Sequence, residues 1–145
     1  MLFGKRKRIV KRILIVEDEP LIAFDNETML ADLGYEVVAT TDNFDTAIEY
    51  LEKEEIDLIL SDLRIAGTRT GVDLAKAAKR RGVPILFATG HELPQEAAAL
   101  AVGCLTKPYS ERTLKQALNC IDRHLAGERV KKPPRGMQLF LDESA

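Results

Sequence analysis

Ile56-Asp57-Leu58-Ile59-Leu60, running into Ser61-Asp62, is the most strand-like stretch of the chain: an apolar run broken only by Asp57 and ending in a hydroxyl and a carboxylate. A strand that is apolar at successive positions, rather than at every second one, is covered on both faces, as in a parallel sheet. Upstream, residues 13–16 (Ile-Leu-Ile-Val) form a shorter run of the same kind ending in Glu17-Asp18-Glu19, and Pro20 opens a segment whose Ile22, Met29, Leu30 and Leu33 recur at helical spacing before Gly34. Residues 35–40, with Val37-Val38, predict a second strand. Residues 43–53 predict a helix with Phe44, Ala47, Ile48 and Leu51 on one face. Downstream, residues 64–71 form a loop rich in Gly and Thr, and residues 72–81 a helix closed by Gly82. Residues 84–88 read as a fourth strand ending in Thr89-Gly90, and residues 95–102 as a short Ala-rich helix behind Pro94. Residues 103–106 make a fifth strand stopped by Lys107-Pro108. Ser110 then N-caps a last helix with Leu114, Ala117, Leu118, Ile121 and Leu125 on one face.

Five strands alternating with five helices predict a doubly wound α/β fold, a five-stranded parallel sheet with helices on both faces. In such sheets ligands bind outside the carboxyl ends of the strands. Those ends hold Glu17-Asp18, Asp62, Thr89 and Lys107. Carboxylates gathered from two adjacent strands repel one another unless a cation neutralises them, and Mg²⁺, which takes one or two carboxylates plus waters and phosphate oxygens, suits an open cluster of this kind. Asp62 is the carboxylate best placed to act as nucleophile toward a phosphoryl group, with Lys107 as a point charge for the phosphoryl oxygens and the Thr89 hydroxyl as a hydrogen-bond donor.

Ile13-Leu14-Ile15-Val16-Glu17-Asp18-Glu19-Pro20, Leu58-Ile59-Leu60-Ser61-Asp62-Leu63, Ala88-Thr89-Gly90 and Thr106-Lys107-Pro108-Tyr109 together resemble the signature of the receiver domain of two-component response regulators. The resemblance covers residues 11–126. It implies a flavodoxin-like sheet of strand order 2-1-3-4-5 and a phosphoryl group accepted on Asp62 from a histidine kinase or phosphotransfer protein. It further implies Mg²⁺ held by Asp18, Asp62 and the backbone carbonyl of Arg64, with Glu17 helping through water. The expected activity is self-phosphorylation and autodephosphorylation only, and the expected output runs through a downstream protein partner on the face of the fourth helix, fifth strand and fifth helix. Residues 97–101 would give that face small side chains. Phe87-Ala88-Thr89-Gly90 also resembles the Phe-Ala-Thr-Gly motif of single-domain regulators of alphaproteobacteria, several of which act in stress-response phosphorelays. Against the family pattern, Ile65-Ala66 replaces Met-Pro beyond the phospho-acceptor, the loop to Gly71 is about one residue longer, and Cys104 stands where a switching aromatic is usual. Arg64, two residues after Asp62, is placed to screen attacking water.

Composition bounds the rest. The chain has 145 residues, 46% apolar, no Trp, and a net charge of −2; the length corresponds to one domain, and no apolar run approaches the ~18 residues that cross a bilayer. No signal-peptide pattern follows the basic start, and Cys104 and Cys120 make neither a disulfide framework nor a zinc site, so a cytoplasmic protein is expected. Charge is uneven: residues 1–12 hold six basic side chains and no acid, and residues 13–126 hold 11 basic and 20 acidic. We read residues 1–10 as a solvated basic extension, or one in which Ile9-Val10 begins the first strand early, without the recognition helix that DNA binding would need. Residues 127–145 read as a tail whose Met137-Gln138-Leu139-Phe140-Leu141, behind Pro133-Pro134, is able to dock on a neighbour or fold back on its own domain. His91 and His124 are expected at the surface. A monomer or weak homodimer is expected. The competing functions are an interaction-only pseudo-receiver and an Mg²⁺-dependent phosphatase with Asp62 as nucleophile; the latter needs a further acid or base and a cap.

Overall fold

A computed structural model describes residues 8–130 and 132–140; Lys5, Arg6 and Lys7 of the basic stretch and Leu141 of the apolar tail lie outside them. The order of elements is β1 (Arg12–Val16), α1 (Pro20–Asp32), β2 (Glu36–Thr41), α2 (Phe44–Lys53), β3 (Leu58–Asp62), α3 (Gly71–Arg80), β4 (Ile85–Thr89), α4 (Gln95–Leu100), β5 (Gly103–Thr106), α5 (Glu111–Leu125) and β6 (Met137–Leu139). The sheet runs β2-β1-β3-β4-β5-β6. Its first five strands are parallel in the expected order, and β6 adds an antiparallel sixth on the β5 edge. The five-stranded expectation is thus corrected to six, because Met137 to Leu139 fold back and pair with Leu105 to Gly103.

Alternation along each strand builds two cores. Ile13 and Ile15 of β1 face the layer of Leu30, Leu114, Leu118 and Ile121, from α1 and α5. Leu14 and Val16 face Ala47, Leu51, Leu74 and Ala78, from α2 and α3. Each fully buried Leu or Ile stabilises the fold by about 1.5–3 kcal/mol, which is why continuous apolar runs of four or five residues suffice as strands. Side-chain caps start three helices: Asn43 accepts from Thr46 N–H at 2.9 Å, Ser110 Oγ from Thr113 N–H at 3.1 Å, and Thr70 and Asp73 form a reciprocal capping box.

Two boundaries move for physical reasons. β3 begins at Leu58 rather than Ile56: Asp57 N–H still donates to Arg12 O at 2.8 Å, but the Lys11 and Arg12 N–H groups opposite go to the Asp57 carboxylate, both at 2.9 Å, in place of a strand carbonyl. α4 stops at Leu100 rather than Val102, because Val102 N–H already donates to Ile85 O at 2.9 Å as pairing with β4 begins. Ala97 and Ala101 are buried in the α2/α3-side core, so the small residues of 97–101 serve internal packing as well as any outer face. The segment before β1 is tied down: buried Asp122 of α5 accepts Ile9 N–H at 2.9 Å and Val10 N–H at 2.8 Å, and the Arg8 guanidinium stacks 4.3 Å from the Tyr35 ring centre. Among the described residues, no helix is long and apolar enough to cross a membrane.

Candidate functional site

Strand ends converge at one point. Glu17 and Asp18 follow β1, Asp62 ends β3, Thr89 ends β4, and Lys107 follows β5. The register places Asp62 beside Ala88, one residue before Thr89, and Thr89 beside Thr106, one residue before Lys107. Carboxylate oxygens of Glu17, Asp18 and Asp62 all lie within 4.8 Å of one another. Such crowding is tolerable only with positive charge nearby, and Lys107 supplies it: its Nζ donates to Glu17 Oε1 at 2.6 Å and to Asp62 Oδ2 at 2.8 Å. The second Asp62 oxygen, Oδ1, accepts Arg64 N–H at 3.1 Å.

Burial sorts the carboxylates by role. Glu17 is 4% exposed; its backbone N–H donates to Thr41 O at 2.9 Å. Burial pushes the Glu17 carboxyl above the usual carboxylate range, against the pull of Lys107. Burial also works against the Lys107 ammonium, but its hydrogen bonds to Asp62 and Glu17 outweigh that and hold it above the ordinary lysine value. Asp18 is exposed and Asp62 half-buried, open to whatever approaches from solution. One ammonium against three carboxylates leaves room for a hard divalent cation, and an all-oxygen donor set with solvent on one side fits Mg²⁺.

Thr89 is buried; its Oγ1 accepts His91 N–H at 3.2 Å and its carbonyl accepts Lys107 N–H at 2.9 Å. His91 is exposed and His124 half-buried, and neither belongs to the cluster. Cys104 is buried on β5 between Phe87 and Gln138, in the core layer against which Phe140 packs.

Reading the residues alone missed two parts of the site. Gly71 opens α3 against the loop that follows Asp62: its N–H donates to Leu63 O at 3.0 Å, and a Cβ there would lie 2.6 Å from Leu63 O and 2.9 Å from Asp62 O. A glycine behind a Gly-Thr loop reads as a loop residue, and nothing in the sequence signals the close approach. The loop is held at its middle too, with Ala66 N–H on Asp42 O at 2.7 Å and the Arg69 guanidinium 5.1 Å from the Phe44 ring centre. The other missed pair is Tyr109 and Asn26. The phenol donates to Asn26 Oδ1 at 2.7 Å, and burial pushes it well above the ordinary tyrosine value. Beside them a cavity of about 320 Å³ opens between α1 and Lys107-Pro108, lined by Ile22, Met29 and Tyr109; elsewhere on α1, Leu21 and Phe24 are exposed by 81% and 65%.

The doubly wound sheet thus gathers three carboxylates and a bridging lysine into one acidic pocket at its carboxyl ends, where open α/β sheets bind ligands. The chain belongs to the response regulator receiver domain family, whose model matches residues 13–119. It is 34% identical over 117 residues to the transcriptional regulatory protein PdtaR of Mycobacterium tuberculosis, covering 76% of this chain and 56% of that one. It is 27% identical over 124 residues to the chemotaxis protein CheY of Pseudomonas aeruginosa, covering 80% and 99%. Among solved structures, the signal receiver domain of a modulated diguanylate cyclase from Desulfovibrio desulfuricans superposes with a TM-score of 0.73 at 29% identity, covering 81% and 97%. The chain spans about half the length of the first curated relatives it matches. Receiver domains are signalling domains, and this chain shares their fold.

Proposed function

We propose that the chain accepts a phosphoryl group on Asp62 from a histidine kinase or phosphotransfer protein and signals by binding a downstream protein. The observation that carries this reading is the Asp62 carboxylate itself. It sits at the carboxyl end of a central strand, its side chain 15% exposed, with one oxygen on a backbone N–H and the other on Lys107. In the transfer an Asp62 oxygen bonds to phosphorus, the donor's phosphorus–nitrogen bond breaks, and its electron pair returns to the imidazole nitrogen. Lys107 turns from the carboxylate to the phosphoryl oxygens without leaving the cluster. Thr89, whose Oγ1 accepts only from His91 N–H among the described bonds, keeps its proton to donate to another phosphoryl oxygen. Asp18, Asp62 and the Arg64 carbonyl, with Glu17 behind them, would hold Mg²⁺. The ion supplies neutralisation of charge that the single ammonium of Lys107 leaves uncompensated.

The donor's docking surface follows from reach. A phosphohistidine must come down over Asp62, and α1, which follows Glu17-Asp18 in the chain, carries the exposed apolar pair Leu21 and Phe24 as a surface for the donor. The Phe87-Ala88-Thr89-Gly90 stretch supports a place among regulators of that motif, with a stress-response phosphorelay as the setting. Incubation with acetyl phosphate and Mg²⁺ tests the acceptor: the intact protein should gain the mass of one phosphoryl group, and Asp62→Asn should gain none. Mass gain that survives Asp62→Asn would place the chemistry elsewhere, and steady turnover of unrelated phosphate esters would favour a hydrolase.

A further inference from the structure

Lys107 carries the ammonium of the carboxylate cluster at the end of a flexible four-carbon stem, so the place of that charge depends on how firmly its backbone is held. Upstream it is held on both edges of β5. Lys107 N–H donates to Thr89 O at 2.9 Å and Thr106 N–H to Gly136 O at 2.8 Å, while a Cβ on Gly103 would lie 2.7 Å from Gln138 O of β6, so that no side chain stands between those two strands. Downstream, Pro108 is exposed and has no N–H to give, and the next tie is a side chain: the Tyr109 phenol on Asn26 Oδ1 at 2.7 Å. Asn26 is 3% exposed on α1, and a buried amide of this kind needs its partner. Burial raises the phenol above its ordinary value, and the negative charges of Glu17 and Asp62 push it the same way, so it stays a donor.

The sheet itself leaves these segments apart. β1 and β5 are separated by β3 and β4. Among the described residues, two side-chain hydrogen bonds join residues 17–26 to residues 107–109: Lys107 to Glu17 at 2.6 Å and Tyr109 to Asn26. The space between them is not packed solid, since the cavity of about 320 Å³ separates α1 from Lys107-Pro108. Close packing alone therefore does not fix the separation there. We infer that Tyr109 and Asn26 are positioning residues for phosphoryl transfer: their hydrogen bond holds the Lys107 backbone at a set distance from α1, and so keeps the ammonium on Glu17 and Asp62 before transfer and on the phosphoryl oxygens during it. Neither residue touches the reacting atoms. Without the hydroxyl the cavity gives the segment room to shift, and a small displacement of a charge-neutralising group is costly in rate. The inference rests on Asp62 as the phospho-acceptor and adds what keeps its lysine in place.

The test uses the full chain. Tyr109→Phe keeps the ring and leaves the Asn26 oxygen buried and unpaired; adding Asn26→Leu removes both polar groups, which returns stability without returning the bond. The readouts are the urea midpoint, acetyl phosphate labelling in Mg²⁺ followed by intact mass, and the nitrogen NMR signal of the Lys107 ammonium in the unlabelled chain, assigned by its absence from Lys107→Met. Tyr109→Phe should lower the maximal labelling rate about tenfold at an unchanged half-saturating acetyl phosphate concentration, and move the ammonium signal toward that of a solvated lysine. The double variant should recover the wild-type urea midpoint yet keep the slow rate and the moved signal, a split that a merely structural pair does not produce. Tyr50→Phe on α2 is the control and should label at the wild-type rate. A double variant that recovers rate and signal together with stability overturns the inference. So does a wild-type rate in Tyr109→Phe, or a slow rate with the ammonium signal unmoved, because the loss then does not run through Lys107. A wild-type chain that never gains mass refutes the phospho-acceptor reading instead, and the ammonium signal then decides alone whether the pair holds Lys107.

Discussion

Replacing Gly71 by Ala should destabilise the protein, although the same change at an ordinary helical glycine stabilises. The added Cβ would meet only backbone: Leu63 O at 2.6 Å, Asp62 O at 2.9 Å and Leu63 Cα at 2.9 Å. Ordinary contact begins at 3.4 Å, so the start of α3 and the end of β3 must part by 0.8 Å at the tightest point. None of these atoms belongs to a flexible side chain that could swing aside. Overpacking of this kind costs about 1–3 kcal/mol. Exchanging Gly for Ala returns roughly 0.5–1 kcal/mol through backbone entropy. The net expectation is a loss of about 1–2 kcal/mol, read as a lower urea midpoint at unchanged slope. Since the displaced backbone carries Asp62, acetyl phosphate labelling should slow by roughly ten- to a hundredfold, the scale on which an ångström of misplacement acts. Gly90→Ala is the matched control, because a Cβ there meets nothing within 4 Å, and its stability should match the wild type within about 0.5 kcal/mol. A Gly71→Ala protein as stable as the wild type would refute the reasoning.

Lys107→Met should bind Mg²⁺ about tenfold more tightly, or ~1.4 kcal/mol, by removing a like charge from the carboxylate cluster, while phosphoryl labelling slows; calorimetry and intact mass read the two effects. Leu21→Glu with Phe24→Glu should cut phosphotransfer from a cognate kinase about tenfold through KM and leave acetyl phosphate labelling unchanged; equal losses with both donors would remove α1 from the docking surface. Burial pushes the Cys104 and Cys120 thiols above their ordinary value. The folded chain therefore keeps protons that the unfolded chain releases, so this contribution to stability is complete below the ordinary thiol pKa and is lost as pH rises past it. Urea midpoints should fall from about pH 8.5 upward, less steeply in Cys104→Ala.

Four motifs at successive strand ends were enough to place Glu17, Asp18, Asp62, Thr89 and Lys107 at one end of a parallel sheet, because strands buried on both faces announce themselves as apolar runs. Asp57 misled the start of β3, since a carboxylate inside an apolar run looks the same whether it lies within the ladder or accepts the N–H groups that begin the neighbouring strand. β6 was legible as an apolar stretch able to dock on a neighbour or fold back on its own domain, and it folds back, but its place on the β5 edge was not readable. Three residues carry too little periodicity to name a partner, and the signal that does name it, the absent side chain of Gly103, lies 34 residues upstream. Gly71 escaped for the same reason: the need for a glycine is set by the approach of a distant backbone.

The loop after Asp62 is fastened at Gly71, where its N–H meets Leu63 O, and at Ala66, where the N–H meets Asp42 O, with Arg69 laid over Phe44. These contacts brace the rim at three points along its length. On the proposed phospho-acceptor reading, a braced rim leaves entry of a small phosphodonor, and of the water that would end the signal, to diffusion and bond-making more than to loop opening. The lifetime of a phosphorylated form would in that case be written into the few side chains that border the doorway.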